Sequence, residues 1–137
     1  MGTVLALDVG SKTIGLARAK SPLNIPQTLY TLTRRSVRKD AEELANLCRK
    51  EKVQAVVVGL PLELDGNEGR SARLARQVGD ALGELTDLPI HYQDERFSTV
   101  EASRRLHEQG INARDQKARI DAVAAAVILE DWLASQD

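Results

Sequence analysis

The eight residues from Val53 to Leu60 constrain the fold of this chain more than any other segment. They are almost continuously apolar, include three valines in a row, and end in Gly-Leu, with Pro61 directly after them. A strand with one face in water alternates apolar and polar residues. An unbroken apolar run is typical of a strand that is buried on both faces, as in a parallel sheet. The segment therefore predicts an α/β fold in which helices cover both faces of a sheet.

The rest of the chain has the residue patterns of such a fold. Strands are predicted at 3–9, 13–20, 27–33, 53–60 and 89–93, and helices at 36–51, 68–85, 98–109 and 115–134. Ser36 is expected to cap the first helix, and Gly110 is expected to end the third. Parallel strands in this order are joined by right-handed crossovers. We expect residues 1–137 to form one domain with a mixed five-stranded sheet.

Composition excludes several classes of protein. The chain has 137 residues, of which 42% are hydrophobic and 28% charged, as in globular proteins that bury a core. No apolar stretch approaches the roughly 18 residues that span a bilayer. The N-terminus lacks the features of a signal peptide. With Cys48 as the single cysteine, no internal disulfide can form, which favours a reducing cytoplasm. The lack of a long apolar stretch favours no membrane association.

The net charge of −1 does not indicate a nucleic-acid-binding protein, but the distribution of charge is uneven. Arg70, Arg73 and Arg76 recur at every third residue, which predicts a shared helix face. Further basic residues cluster at Arg34, Arg35, Arg38 and Lys39, and again from Arg96 to Arg119. A basic surface beside an acidic centre suits an enzyme that binds phosphates. A solvated helix face is the other interpretation of each cluster.

Asp8 ends the first apolar strand and enters a turn that contains Gly10. A buried carboxylate costs several kcal/mol without a partner, so an acid between two strand-like runs needs a strong counter-charge. A bound metal ion is the strongest one available. The alternative is that Asp8 only caps a tight turn.

Asp121 lies in the most apolar helix of the chain, one turn before Ala125. Its helical position directs it towards the sheet or the rim of the sheet. A salt bridge to Arg119, Lys117 or an arginine at the sheet edge would also explain it. Glu95 follows the fifth strand, and ligands in α/β sheets collect at the carboxyl ends of strands.

Four segments of the chain together resemble the motifs of the YqgF/RuvX family. They are Leu7–Gly15, Val58–Leu62 with Asp65 and Gly66, Asp94–Thr99, and Asp121–Ala125. They follow the order of the family and cover essentially the whole chain. The family is similar to the Holliday-junction resolvase RuvC and to ribonuclease H, which implies an RNase H-like fold. Its members are described as candidate junction resolvases and as candidate nucleases that mature the ends of precursor 16S rRNA.

By motif, the resemblance assigns a catalytic and metal-binding triad to Asp8, Glu95 and Asp121. Oxygen ligands of this kind suit Mg²⁺ or Mn²⁺. RuvC-like enzymes carry a fourth acid one turn from the last of these. Here those positions are Ala118 and Ala124, so a fourth ligand has to come from Asp94, Asp65 or water.

Residues beside the motif acids, in the loop after the fourth strand and on the basic helix face are expected to contact nucleic acid. These are Lys12, Gly59, Pro61, Asp65, Gly66, Arg70, Arg73, Arg76 and Arg96. For the loop, a plain strand-to-helix connection is the alternative. The resemblance implies a metal-dependent endonuclease, with Holliday-junction DNA as the first expectation for the substrate and precursor 16S rRNA as the second.

Two other functional classes remain open. The segment from Asp8 to Thr13 also resembles the phosphate-binding hairpin of actin-like and Hsp70-type ATPases and sugar kinases, but those proteins close two lobes over a nucleotide. A catalytically silent nucleic-acid-binding module would not need the acidic triad. A resolvase cuts two strands related by two-fold symmetry, so we expect a homodimer for junction cleavage. Trimming an RNA end needs no such symmetry.

Overall fold

The computed structural model describes residues 2–95, 98–111 and 113–136, with only the backbone described at 98–100 and 113–118. Each predicted element is found, with bounds that differ by at most two residues. In chain order they are β1 (Thr3–Val9), β2 (Thr13–Lys20), β3 (Gln27–Thr33), α1 (Val37–Lys50), β4 (Val53–Leu60), α2 (Arg70–Thr86), β5 (Ile90–Asp94), α3 (Ser98–Glu108) and α4 (Ala113–Ala134).

The strands form one mixed sheet in the order β3-β2-β1-β4-β5. β1 pairs antiparallel with β2 and parallel with β4, so that Leu7 is opposite Leu16 on one side and Val58 on the other. β5 pairs parallel with β4. The carboxyl ends of β1, β4 and β5 therefore meet at one edge of the sheet. The predicted mixed five-stranded sheet is confirmed.

Helices cover both faces of the sheet, as predicted. Leu5, Leu7 and Val9 of β1 belong to a core with α1 and α2, whereas Val4 and Ala6 belong to a second core with α4. Because side chains alternate along a strand, the position of Asp8 has the same orientation as the residues that face α4. The valines of β4 contribute to both cores and are buried, with Val56, Val57 and Val58 fully so, as the apolar run predicts.

Local signals explain where the helices begin and end. The Ser36 side chain accepts a hydrogen bond of 3.1 Å from the backbone N–H of Lys39, which confirms the predicted cap of α1. α3 ends just before Gly110, whose φ of 75° is readily adopted by glycine. Cys48 is buried in the core under α1. Within the described residues, no helix has both the length and the apolar character that crossing a membrane requires.

Candidate active site

Asp8 lies near the carboxyl end of β1, opposite Gly15 of β2. The following turn is closed by the backbone, because the N–H of Gly10 donates to the carbonyl of Thr13 over 2.8 Å. The Asp8 carboxyl instead forms a hydrogen bond with the carboxyl of Glu95. Burial raises the pKa of Asp8 from its ordinary 3.8 to about 6, a hydrogen bond from Glu95 opposes this, and the charge of Asp121 adds to it. Asp8 is thus part of a carboxyl cluster.

Glu95 is buried, with 8% of its surface exposed, although it directly follows an edge strand. Its backbone N–H donates to the carbonyl of Leu60 over 3.1 Å, which ties it to the end of β4. Gly59 makes room for it, because a Cβ at Gly59 would lie 2.7 Å from the Glu95 carboxyl carbon. In this structure Gly59 is a buried spacer under a predicted catalytic acid.

Asp121 is held against β2 by two features of that strand. The Thr13 hydroxyl donates a hydrogen bond to Oδ2 of Asp121. Two residues further on, a Cβ at Gly15 would overlap the backbone of α4 at Asp121 and would lie 2.7 Å from the backbone nitrogen of Ala122. Glycine at this position therefore lets α4 approach the sheet closely. Among the side chains that the structure describes, the Thr13 hydroxyl is a partner of Asp121, which the sequence did not indicate.

The carboxyl groups of Asp8 and Glu95 form a close pair, and Asp121 is a third acid near them. A hydrogen bond between Asp8 and Glu95 requires a proton on one of them, because ionised carboxylates only accept. The charge of Asp121 contributes to the raised pKa of Asp8, which places the three acids in one electrostatic cluster. In the part of the chain that the structure describes, no three His, Cys, Asp or Glu side chains are grouped closely enough to hold a metal ion.

The donor chemistry of this cluster fits a hard divalent cation. Its ligands are all carboxylate oxygens, and a cation would take the place of the proton that Asp8 and Glu95 share. Thr13 occupies only one oxygen of Asp121, so the other can still act as a ligand. A site that uses all three acids requires them to lie closer together than they do in the structure.

Arg34 and Asp40 support the turn after Asp8, a role that sequence reasoning missed. Asp40 is fully buried and accepts hydrogen bonds from Nε of Arg34 at 3.0 Å and from the backbone N–H of Arg35 at 3.1 Å. Arg34 in turn donates to the carbonyl of Gly10 over 3.2 Å. The sequence had placed Arg34 in a basic surface cluster. A usable signal was that Asp40 lies one helical turn before buried Leu44.

The basic residues predicted to contact nucleic acid lie in different surroundings. Lys12 is exposed at the β1–β2 turn, and Arg70 and Arg73 are exposed at the start of α2. Arg76 forms two contacts of 2.7 Å with Glu68 and lies over the ring of Tyr92. Residues three apart on an α-helix differ by about 300° around its axis, which is about 60° short of a full turn. Over the six residues from Arg70 to Arg76 the shortfall reaches about 120°, so Arg76 lies on a different side of α2 from Arg70.

The remaining predicted contacts are in the loop after β4 or outside the described residues. Pro61 is partly buried, while Asp65 and Gly66 are exposed. Asp65 accepts a hydrogen bond of 2.9 Å from the backbone N–H of Asn67, so it stabilises its own turn. Gly66 has a φ of 89°, which favours glycine. Arg96 lies outside the described residues.

Comparison with known proteins identifies the family. Residues 2–135 match the sequence model of RuvX, described as a Holliday junction resolvase. The chain belongs to the RuvX family. A RuvX relative from Anaeromyxobacter sp. (strain Fw109-5) is 46% identical over 129 residues, which cover 94% of each chain. One from Gloeobacter violaceus is 41% identical over 131 residues, covering 96% of this chain and 83% of the relative. Both are named as candidate pre-16S rRNA nucleases.

Solved structures show the same fold. RuvC from Thermus thermophilus in complex with a Holliday junction substrate superposes with a TM-score of 0.64 at 12% identity, covering 100% of this chain and 99% of that chain. A second structure of the same protein gives a TM-score of 0.58. The RNase H-like fold is thereby confirmed. As a RuvX-family nuclease, the protein is a hydrolase that acts on phosphodiester bonds of nucleic acid.

Proposed function

We propose that this RuvX-family nuclease is a metal-dependent endonuclease that resolves four-way DNA junctions. The observation that carries the proposal is the Asp8–Glu95 carboxyl pair beside Asp121, at the edge of the sheet where three parallel strands end. Like-charged side chains held this close in a fold are costly unless a cation or a proton lies between them. A family described as junction resolvases supports the choice of substrate.

Asp8, Glu95 and Asp121 would hold the divalent ion, and their oxygen ligands suit Mg²⁺ or Mn²⁺. When bound, such an ion lowers the pKa of a water molecule and stabilises charge on the leaving 3′ oxygen. The chain itself provides the positioning. Thr13 orients Asp121, and the space above Gly59 lets the Glu95 carboxyl reach Asp8.

The proposal is tested by cleavage of a labelled mobile four-way junction in Mg²⁺, in Mn²⁺ and in EDTA. Asp8→Asn, Glu95→Gln and Asp121→Asn should each reduce cleavage by at least a hundredfold, because each removes a charged ligand and keeps nearly the same shape. Asp131→Asn is the matched control. Asp131 is exposed on the same helix, ten residues or about 15 Å beyond Asp121. Near-full activity of the Asp8 or Asp121 variant would exclude the proposed site.

Processing of the ends of precursor 16S rRNA is the second candidate, and the names of the relatives at 41–46% identity favour it. A precursor rRNA fragment is therefore assayed beside the junction. Junction resolution further predicts a homodimer with paired symmetric nicks, measured by light scattering and by mapping the nicks. A monomer that cuts the RNA and leaves the junction whole would replace the first proposal with the second. Under either proposal we place the enzyme in the cytoplasm, where the lone buried Cys48 stays reduced.

A further inference from the structure

A cavity of about 660 Å³ opens beside the turn that follows Asp8. One wall is the β1–β2 turn with Ser11, and the opposite wall is the first part of α2. The polar lining includes Arg70, Ser71 and Arg73, with Arg34 at its side. Among the described residues that line the cavity, none is acidic. A cavity of this size and lining admits an anion larger than a simple ion.

The cavity carries positive charge that the described residues leave uncompensated. The charge of Arg34 is balanced by its ion pair with buried Asp40. Arg70 and Arg73 are both exposed and form no ion pair with any described residue. α2 also begins at Gly69 without a side-chain cap and has no acid in its first turn. The carboxylate of Glu63 lies against Gly69 at this helix end and offsets the helix dipole, so the positive charge of the cavity comes from the two arginines.

The cavity and the carboxyl pair are on opposite faces of the same strand end. Val9 lines the cavity and belongs to the core under α1 and α2, whereas Asp8 has the orientation of the residues that face α4. Ser11 is three residues after Asp8, and three residues of extended chain span at most about 10 Å. A nucleic-acid strand advances about 3.4 Å per nucleotide. The cavity is thus within about three nucleotides of a phosphate at Asp8.

We infer that this cavity binds one non-reacting phosphate of the substrate strand, with Arg70 and Arg73 as its main ligands and the hydroxyls of Ser11 and Ser71 as further donors. The inference rests on the proposed nuclease function and extends it. A nucleic-acid strand that crosses the β1–β2 turn would be held at the carboxyl cluster and at the cavity. The contact in the cavity would set which phosphodiester bond lies over Asp8. The phosphate is either an internal one, with two non-bridging oxygens, or a terminal 5′-phosphate, with three; in both, these oxygens carry the negative charge and accept hydrogen bonds from the arginines and serines.

The test places a neutral methylphosphonate linkage at one position at a time in a labelled strand, and binding is measured in EDTA. For the wild type, one position within about three nucleotides of the cut should weaken binding at least fivefold. In the double variant Arg70→Gln/Arg73→Gln this position should lose its effect while the others keep theirs. In the double variant, the slope of log binding constant against log salt concentration should become less steep by about 1, the value for one lost phosphate contact.

Comparing nucleic-acid strands that carry a 5′-phosphate with strands that carry a 5′-hydroxyl shows whether the cavity binds an internal phosphate or a terminal one. If only removal of the terminal phosphate reproduces the loss, the cavity binds a strand end. Arg49→Gln is the matched control, because Arg49 is exposed near the end of α1, at the opposite edge of the sheet. The double variant Arg70→Lys/Arg73→Lys should keep most of the wild-type affinity, since it keeps the charge.

An unchanged salt slope, or a loss of affinity spread evenly over all positions, would overturn the inference. Thermal unfolding of the double variant checks that the fold is retained. Because binding is measured in EDTA, the result does not depend on cleavage. A wild type that shows the position-specific effect but cuts neither substrate would overturn the nuclease proposal alone. A wild type that binds none of the strands would overturn both.

Discussion

Replacing Asp8 with asparagine should make the metal-free protein more stable at pH 8. The pKa of Asp8 is raised from its ordinary 3.8 to about 6, first by burial and then by the charge of Asp121. Asparagine has nearly the same shape and no charge. Its amide oxygen can still accept the hydrogen bond from Glu95, so the variant loses the unfavourable charge and little else.

The size of the effect follows from the shift in pKa. One unit corresponds to about 1.4 kcal/mol, so a rise of about two units costs at most about 3 kcal/mol when Asp8 is ionised in the folded protein. The folded state binds this proton more tightly than the unfolded state. The stabilisation of the wild type by this proton is therefore complete below about pH 4, the ordinary pKa, and is lost as the pH rises to about 6. The advantage of the variant should be small at pH 4 and about 1–3 kcal/mol at pH 8.

Urea unfolding in EDTA at pH 4, 6 and 8 measures this difference. Asp87→Asn is a suitable control, because Asp87 is exposed at the C-cap of α2 in a left-handed conformation that asparagine also tolerates. The free energy of unfolding of Asp87→Asn should equal that of the wild type at all three pH values. If Asp8→Asn is less stable at pH 8, or if its advantage does not shrink towards pH 4, Asp8 carries no buried unfavourable charge and the acidic cluster is misassigned.

Three further outcomes are expected. The affinity for Mn²⁺ should fall as the pH drops below about 6, because a proton on Asp8 competes with the metal, and calorimetry in two buffers should detect proton release. Gly59→Ala should reduce cleavage at least tenfold and lower the free energy of unfolding in urea by about 1–3 kcal/mol, because the added Cβ would lie 2.7 Å from the Glu95 carboxyl carbon. Cleavage at the wild-type rate would contradict this. Asp40→Ala should destabilise the fold by about 3 kcal/mol in urea unfolding by leaving the Arg34 charge without its buried partner, and a change below 1 kcal/mol would show that the pair is not needed.

Local patterns determined the elements of this fold and predicted where its candidate site lies. The apolar run of β4 requires burial on both faces, and the element order then allows few arrangements. Asp8, Glu95 and Asp121 could be named in advance because they follow strands or interrupt an apolar helix, and because four motifs resemble one family. These signals are readable because side-chain periodicity and turn residues act over a few neighbouring positions.

The tertiary structure alone decided which partners these side chains have. Thr13 meets Asp121 across 108 residues of sequence, and this pairing depends on how α4 packs on β2. Of two arginines in basic clusters, Arg34 holds a turn through buried Asp40, and Arg76 is paired with Glu68. The clustering of charge along the sequence did not by itself separate them from exposed Arg70. A charge faces water, a ligand or another charge according to contacts between distant segments, and those contacts exist only once the sheet and its helices have packed together.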